Sequence, residues 1–197
     1  MIEFKNVNLK YSETPIFKQL NFKIEQGERV CFSGPSGRGK STLLKMMQGY
    51  ALPDDGEILI NGWQLGPHRI KQIRDLIIWV PQNINLPVNT GVELLDLMAL
   101  SSKLSRVQEI ASDLLLEADI IKKDFSKISG GQKQRLIISV CLSLDKPIIL
   151  MDEPTSSLDF ESIEALVRLL TSLKNKTLIS ASHNEQWLNA SGRVVKL

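Results

Sequence analysis

The sequence predicts an α/β fold in which a mostly parallel sheet is covered by helices on both faces. Short apolar runs typical of buried strands recur along the chain, and segments with helical spacing of apolar residues lie between them. Turn signals rich in Gly, Pro, Asn and Asp separate these segments. Strands that alternate with helices favour parallel pairing, because each helix carries the chain back across the sheet before the next strand begins.

The composition is that of one globular domain. The 197 residues are 43% hydrophobic and 23% charged, and 24 Lys and Arg nearly balance 22 Asp and Glu, which gives a net charge of +2. These values argue against disorder and against nucleic-acid binding through bulk charge. Cys31 and Cys141 lie in apolar runs without metal-ligand spacing, so we expect buried free thiols in a reducing compartment.

Neither a membrane span nor a targeting segment is predicted. No apolar stretch approaches the roughly 20 residues that cross a bilayer. The N-terminus has neither the charge nor the apolar core of a signal peptide. We therefore expect a soluble, cytoplasmic chain whose membrane role, if it has one, comes through a partner.

Strands and turns dominate the first half of the chain. Alternation of Leu20, Phe22 and Ile24 with polar residues indicates a half-buried strand. Gly49 is expected to end the first helix, and Pro81 stops a buried apolar run. The predicted elements are strands at 20–24, 30–32, 57–60 and 76–80 and a helix at 41–48.

Between about 90 and 125 the pattern changes to helices. Thr90-x-x-Glu93 fits a capping box that opens a helix through Leu100, and Ser105-x-x-Gln108 fits a second box. We expect this stretch to be a helical insertion on an α/β core. The apolar face predicted after the second box consists of Val107, Ile110, Ala111, Leu114 and Ala118.

The alternation of strands and helices resumes after this insertion. A buried strand at 148–151 ends in the pair Asp152-Glu153, and an amphipathic helix follows around 163–170. The other elements predicted here are helices at 132–144 and 185–190 and strands at 178–181 and 194–197.

The strongest chemical signal is Gly34-Pro35-Ser36-Gly37-Arg38-Gly39-Lys40-Ser41-Thr42, which matches the phosphate-loop pattern G-x-x-x-x-G-K-[ST] between a strand and a helix. Glycines let successive backbone N–H groups turn towards a triphosphate, and the helix points its positive end at the same anion. We expect Lys40 to bind the β- and γ-phosphates and the Ser41 hydroxyl to bind Mg²⁺. The alternative is a glycine-rich turn with an accidental lysine.

Two carboxylates follow the strand at 148–151. Asp152 stands where a phosphate-loop protein needs a carboxylate to hold its metal. Glu153 is expected beside the γ-phosphate, where it can orient and deprotonate an attacking water. The alternative for Glu153 is that it caps the next segment.

The segment Ile128-Ser129-Gly130-Gly131-Gln132-Lys133-Gln134-Arg135 resembles the signature motif of the ATP-binding cassette family, the ATPase subunits of ABC transporters. A serine and two glycines before a helix can form a second anion site. Ser129-x-x-Gln132 also fits a capping box, and both interpretations can hold together. One nucleotide cannot occupy two separate phosphate sites of one chain. The resemblance therefore implies a head-to-tail homodimer in which Ser129, Gly130, Gly131 and Gln132 contact the partner's ATP.

Four further segments match motifs of the same family. Tyr11 resembles the aromatic residue that stacks on adenine, and Gln82 resembles the glutamine that contacts Mg²⁺ and links the site to the helical lobe. Ser156-Ser157-Leu158-Asp159 resembles the D-loop at the interface between subunits, and His183 resembles the histidine that contacts the γ-phosphate. Taken alone, these residues are also compatible with a surface tyrosine, a loop glutamine, a helix N-cap at Asp159 and a structural histidine.

The sequence departs from the family pattern at few positions. Ser157 stands where alanine is more usual, and Arg38 occupies a position that is commonly small. Arg38 either adds a contact at the dimer interface or is solvated. Because the sequence stops at the strand 194–197, where relatives usually continue, no C-terminal regulatory module is expected.

The resemblance implies one ABC ATPase domain over 1–197. Its core is of the P-loop NTPase type, a mostly parallel sheet with an antiparallel N-terminal β part, and is expected at 1–89 and 126–197. The helical lobe is expected at about 90–125. The implied Mg²⁺ ligands are Ser41, Gln82 and Asp152, and the implied catalytic residues are Glu153, His183, Lys40 and Gln82.

The implied function is ATP binding and hydrolysis in an ABC transporter subunit. Closure of the homodimer on ATP would power separate integral membrane subunits, which are expected to determine the transported substrate. The chain would act at the inner face of the cell membrane through those partners, without binding nucleic acid or inserting into the bilayer. Two alternatives are a non-transport ABC ATPase of the iron–sulfur assembly type and a phosphate-loop kinase for a small molecule.

Overall fold

A computed structural model describes residues 1–83 and 85–197. The predicted alternation of strands and helices is confirmed over this range. Short 3-10 turns at Ser101–Lys103, Ile120–Lys122 and Phe125–Lys127 connect some of the helices. In chain order the elements are β1 (Ile2–Tyr11), β2 (Thr14–Ile24), β3 (Arg29–Ser33), α1 (Lys40–Met47), β4 (Asp55–Ile60), β5 (Trp63–Gln64), α2 (Ile70–Asp75), β6 (Ile77–Val80), α3 (Gly91–Leu97), α4 (Leu104–Asp113), α5 (Gly130–Leu142), β7 (Ile148–Asp152), α6 (Phe160–Ser172), β8 (Thr177–Ala181), α7 (Glu185–Ala190) and β9 (Arg193–Lys196).

The strands form two sheets. The first has the order β2-β1-β4-β5 and its paired strands are antiparallel. The second has the order β6-β7-β8-β3-β9, and β3 pairs in parallel with β8 and β9, as β7 does with β8. The predicted fold class, a mostly parallel sheet with an antiparallel N-terminal part, is therefore confirmed.

The described chain forms two compact units. The first unit comprises Met1–Ile78, Lys146–Glu153 and Asn175–Leu197, and the second comprises Trp79–Asp145 and Pro154–Lys174. The helices predicted at about 90–125 lie in the second unit, which also contains α5 and α6. The boundaries predicted for the helical lobe stay a prediction.

Each unit has its own apolar core. In the first unit the rings of Phe4 and Phe22 stack with centroids 4.3 Å apart, and Phe32 meets Phe22 edge-on at 5.4 Å. Strand β7 is buried along its whole length, as its apolar run predicts. The core of the second unit consists of Leu94, Leu95, Val107, Ala111, Leu116, Ile120, Ile121, Leu136, Ile137 and Val140.

The first predicted capping box is only half correct. The Thr90 side chain accepts a hydrogen bond from the Glu93 N–H at 3.1 Å, as predicted. The Glu93 carboxylate, however, accepts from the Asn89 N–H at 2.9 Å and not from that of Thr90. Helix α3 also ends at Leu97 rather than Leu100, because Ala99 takes a left-handed conformation with φ 54°.

The second predicted capping box is wrong. Helix α4 begins at Leu104 and continues directly from a 3-10 turn, so Ser105 lies inside the helix and does not cap it. The helix ends at Asp113, and Leu115 has φ 60°. Ala118 therefore lies outside the helix and is exposed, whereas the other four residues of the predicted apolar face are buried.

Both cysteines are free thiols. Cys31 is buried and Cys141 is partly buried, and desolvation raises the pKa of both, that of Cys141 to about 12. Within the described ranges, no helix combines the length and the hydropathy that crossing a membrane requires.

Candidate active site

The phosphate loop lies between β3 and α1, as predicted. Gly37 and Gly39 have left-handed φ values of 83° and 88°. A Cβ atom on Gly39 would lie 2.7 Å from the Phe17 ring and 2.8 Å from Ile16, so only glycine fits there. Residues 35–38 are exposed, and among the described residues no side chain caps α1 or places an acid in its first turn. The N–H groups at the start of α1 are therefore available to an anion.

Lys40 and Ser41, the first two residues of α1, make hydrogen bonds to residues at the carboxyl ends of β3 and β7 in the same unit. The Lys40 ammonium group donates to the carbonyl oxygens of Gly34 at 2.7 Å and Pro35 at 3.1 Å. The Ser41 hydroxyl donates to the Asp152 carboxylate at 2.9 Å. Two motifs that are 111 residues apart in sequence thus meet at one place.

The oxygen pair of Ser41 and Asp152 fits a magnesium ion. Burial raises the pKa of the Asp152 carboxyl, and the negative charge of Glu153 acts in the same direction, while the Ser41 hydrogen bond and nearby lysines oppose them. A cation at this position would relieve the cost of a buried carboxylate. The described residues contain no cluster of three or more His, Cys, Asp or Glu suited to a metal. A serine hydroxyl and a carboxylate are oxygen ligands of the kind that Mg²⁺ takes when phosphate and water supply the others.

Glu153 and His183 form a second contact at the same sheet edge. Glu153 follows β7, is only 8% exposed, and has an unusual φ of 46° that its N–H stabilises by donating to the Ala181 carbonyl at 2.8 Å. Its carboxylate lies 3.0 Å from Nδ1 of His183, whose side chain is 76% exposed. A mostly buried carboxylate thus contacts an imidazole that is open to a ligand. Tyr11, 52% exposed at the end of β1, also lies in this unit.

The signature segment begins α5 in the second unit. Ser129 and Gln132 form the complete predicted capping box, with N···O distances of 3.1 Å and 2.9 Å. Ser129 and Gly130 are exposed, and so are the first two D-loop residues, Ser156 and Ser157. Asp159 caps α6 by accepting from the Ser162 N–H at 2.8 Å, so the N-cap interpretation of Asp159 is confirmed. Gln82 is exposed, and it too belongs to the second unit.

Gln134 is a residue of the signature segment for which the sequence predicted no role. Its side chain is buried, and its amide nitrogen donates to the Pro154 carbonyl at 3.0 Å. Its spacing from Ile137, Ile138 and Cys141 is that of one helical face, so periodicity could have predicted the burial. The partner carbonyl has no such signal in the sequence.

A glycine-rich loop between a parallel strand and a helix, with its serine hydrogen-bonded to the carboxylate at the end of a neighbouring strand, defines the class of phosphate-loop nucleotide-binding proteins. A family model described as ABC transporter matches residues 17–156. The chain belongs to the ABC transporter family. The prediction from the signature and Asp-Glu motifs is thereby confirmed, and the chain is an ATP-binding, ATP-hydrolysing subunit whose hydrolysis is coupled to transport.

Individual relatives agree with this assignment. A probable ABC transporter ATP-binding protein of Campylobacter jejuni is 34% identical over 93% of this chain and 80% of its own length. A dimeric ATP-binding cassette in a post-hydrolysis state with ADP and phosphate has a similar structure, with a TM-score of 0.87 and 29% identity over 100% of this chain and 94% of that one. The cbiO1 protein of Clostridium perfringens, part of an ABC transporter complex, is also similar in structure. Its TM-score is 0.84 and its identity is 26%, over 99% of this chain and 83% of that one.

Proposed function

We propose that ATP binds at the carboxyl ends of β3, β7 and β8. The observation that carries this proposal is that the phosphate loop, the Asp152-Glu153 pair and His183 follow three strands that are neighbours in one parallel sheet. The loop 34–42 holds the phosphates and Tyr11 stacks on the adenine. Lys40 exchanges its two carbonyl partners for phosphate oxygens, which offer it a full opposite charge.

Ser41 and Asp152 would hold Mg²⁺ in this proposal, and the family resemblance assigns a further oxygen to Gln82. The metal would supply positive charge to the β- and γ-phosphate oxygens. The Ser41 hydroxyl, which donates to Asp152 at 2.9 Å, would offer its oxygen to the ion, and the ionised Asp152 carboxylate would supply negative charge.

Glu153 is the proposed general base. It orients a water molecule and takes one of its protons as the water oxygen bonds to the γ-phosphorus. The bond between that phosphorus and the bridging oxygen breaks, and ADP and phosphate leave. His183, 3.0 Å from the Glu153 carboxylate and open to a ligand, contacts the γ-phosphate and keeps Glu153 in place.

A second copy of the chain completes each site in this proposal. Ser129 and Gly130 are exposed at the start of α5, where a hydroxyl, the N–H groups of two glycines and the positive end of a helix favour an anion. The residues 129–132 of one chain then contact the ATP held by the other, in a homodimer with two sites. The dimeric cassette with similar structure supports this arrangement.

Movement of the dimer is proposed to drive integral membrane subunits. The residues that would carry it lie in the second unit, where Gln82 precedes the helices α3 and α4. The transporter complex that contains cbiO1 supports partners of this kind. The chain would then work at the inner face of the cell membrane through those partners.

Glu153→Gln tests the proposal. The variant keeps the size of the side chain and removes the base, so we expect ATP binding to persist while turnover falls about 10²- to 10⁴-fold. A dimer should accumulate in ATP, as measured by size-exclusion chromatography. Glu164→Gln, the same change at an exposed position on α6, is the control and should behave as wild type. Unchanged turnover in Glu153→Gln would remove Glu153 as the base.

A further inference from the structure

The hydrogen bond of Gln134 joins the signature helix to the residue after the proposed base. Gln134 is 4% exposed, and its amide nitrogen donates to the Pro154 carbonyl at 3.0 Å. Pro154 directly follows Glu153 in the chain. A buried amide without a hydrogen-bond partner destabilises the fold, because it has also lost its contacts with water. This contact is therefore expected to persist while both segments stay folded.

A second contact holds the same two segments together. A Cβ atom on Gly131 would lie 2.6 Å from the Ser157 carbonyl oxygen, so the first turn of α5 packs against the D-loop without room for a side chain. The D-loop is itself ordered by the turn from Leu158 N–H to the Thr155 carbonyl at 3.1 Å and by the Asp159 cap on α6. The signature segment thus contacts the stretch 154–157, which leads into and includes the start of the D-loop, at two points within one unit.

The backbone of Glu153 needs support from its neighbours. A left-handed conformation is unfavourable for a residue with a Cβ atom, and a following proline restricts the backbone further. The Glu153 N–H donates to the Ala181 carbonyl on one side, and the Pro154 carbonyl accepts from Gln134 on the other. The two hydrogen bonds thus fix the backbone before and after the carboxylate that is proposed to orient the attacking water.

We propose that Gln134 is a positioning residue that links the signature segment of a chain to the Glu153 of that same chain. This rests on the proposed function, in which the signature segment contacts the ATP of the partner. A change in that contact moves the start of α5. Gln134 passes the movement to the Pro154 carbonyl and so to Glu153, which makes hydrolysis in one site depend on nucleotide in the other.

The first test is Gln134→Leu, which keeps the bulk of the side chain and removes the donor. We expect kcat to fall about 10- to 100-fold, as misplacement of a catalytic group does, while the KM for ATP stays within about twofold. Gln108→Leu, the same change at an exposed position on α4, is the control and should match wild type. A fall in ATP affinity with unchanged kcat would contradict the proposal.

The second test uses mixed dimers of two differently tagged chains, one of which always carries Glu153→Gln so that only one base works. The reference pair has no other change. When Gln134→Leu is on the chain with Glu153, we expect turnover about 10-fold or more below the reference. When it is on the Glu153→Gln chain, turnover should equal the reference within about twofold.

The outcomes separate the proposals. If turnover is lost only when Gln134→Leu is on the inactive chain, Gln134 acts on the partner's ATP. If both arrangements turn over ATP at the rate of the reference pair, Gln134 positions nothing. Either outcome overturns the inference. A reference pair with the full activity of the wild-type dimer would instead overturn the proposed role of Glu153. A lowered melting temperature with unchanged kcat would also contradict a positioning role.

Discussion

At the scale of single residues, Asp152 shows how the site makes room for a cation. Its carboxyl lies at the buried end of β7, where the Ser41 hydroxyl donates a hydrogen bond to it at 2.9 Å. Burial raises its pKa above the ordinary aspartate value, so the folded chain holds a proton there more tightly than the unfolded chain does. The contribution of this group to stability is therefore present below the unfolded pKa and is lost as the pH rises through the raised folded pKa.

Asp152→Asn should remove this pH dependence. In metal-free buffer with EDTA, we expect the variant to gain stability relative to wild type as the pH rises from about 4 to 7, because it has no buried charge to form. Urea denaturation at both pH values measures the difference. Excess Mg²⁺ with ATP should stabilise wild type and not the variant. Asp75→Asn, at an exposed position, is the control, and an equal pH trend in both variants would contradict the explanation.

At the scale of elements, helix caps hold the site residues in position. Helix α7 begins two residues after His183, and its N-cap Asn184 accepts from the Trp187 N–H at 3.0 Å. Trp187 in turn is buried and donates from its indole nitrogen to the Ser180 hydroxyl at 2.9 Å. Ser180 belongs to β8, the strand that precedes His183. The indole hydrogen bond therefore ties helix α7 to that strand.

Asn184→Ala should weaken this element. Loss of a side-chain cap costs about 1 kcal/mol, which lowers the melting temperature of a chain of this size by roughly 2–4 °C. Differential scanning calorimetry measures the change. Asn184→Ser keeps a capping oxygen and should retain most of the stability. If both variants melted alike, the Asn184 side chain would not be the cap that stabilises α7.

Local sequence predicted the caps of α5 and α6 and failed at α4. Ser129-x-x-Gln132 forms its box because Ile128 and Ser129 are extended, with ψ values of 154° and 157°. Ser105-x-x-Gln108 has the same letters, but the chain before it is already a 3-10 turn. The N–H groups of Lys103 and Leu104 are therefore already hydrogen-bonded within that turn, before the chain reaches Ser105. Strand β1 was also not predicted from the sequence. Asn6, with φ 50°, shifts the register of the strand between Phe4 and Val7, so apolar and polar residues do not alternate regularly along it.

At the scale of the whole molecule, a ligand that binds only the folded chain must stabilise it. ATP with Mg²⁺ at about 100 times its dissociation constant adds about 2.7 kcal/mol, or roughly 5–10 °C in melting temperature for a chain of this length. We expect this shift in the Glu153→Gln variant, which does not consume the nucleotide. Thermal-shift measurements with and without ATP test it, and Lys40→Ala should abolish the shift. An equal shift in Lys40→Ala would contradict binding at the phosphate loop.

The sequence by itself determined the phosphate loop, the Asp152-Glu153 pair, the signature segment and the alternation of strands and helices. These features depend on a few neighbouring residues, because loop conformation, caps and periodicity are local properties. Only the tertiary structure decided that Ser41 meets Asp152, that His183 meets Glu153 across 30 residues, and that Gln134 reaches the Pro154 carbonyl. Those contacts depend on the order β7-β8-β3 in the sheet and on the close packing of α5 against the D-loop. Neither is set by local propensity, since both arise from pairing and packing between distant segments.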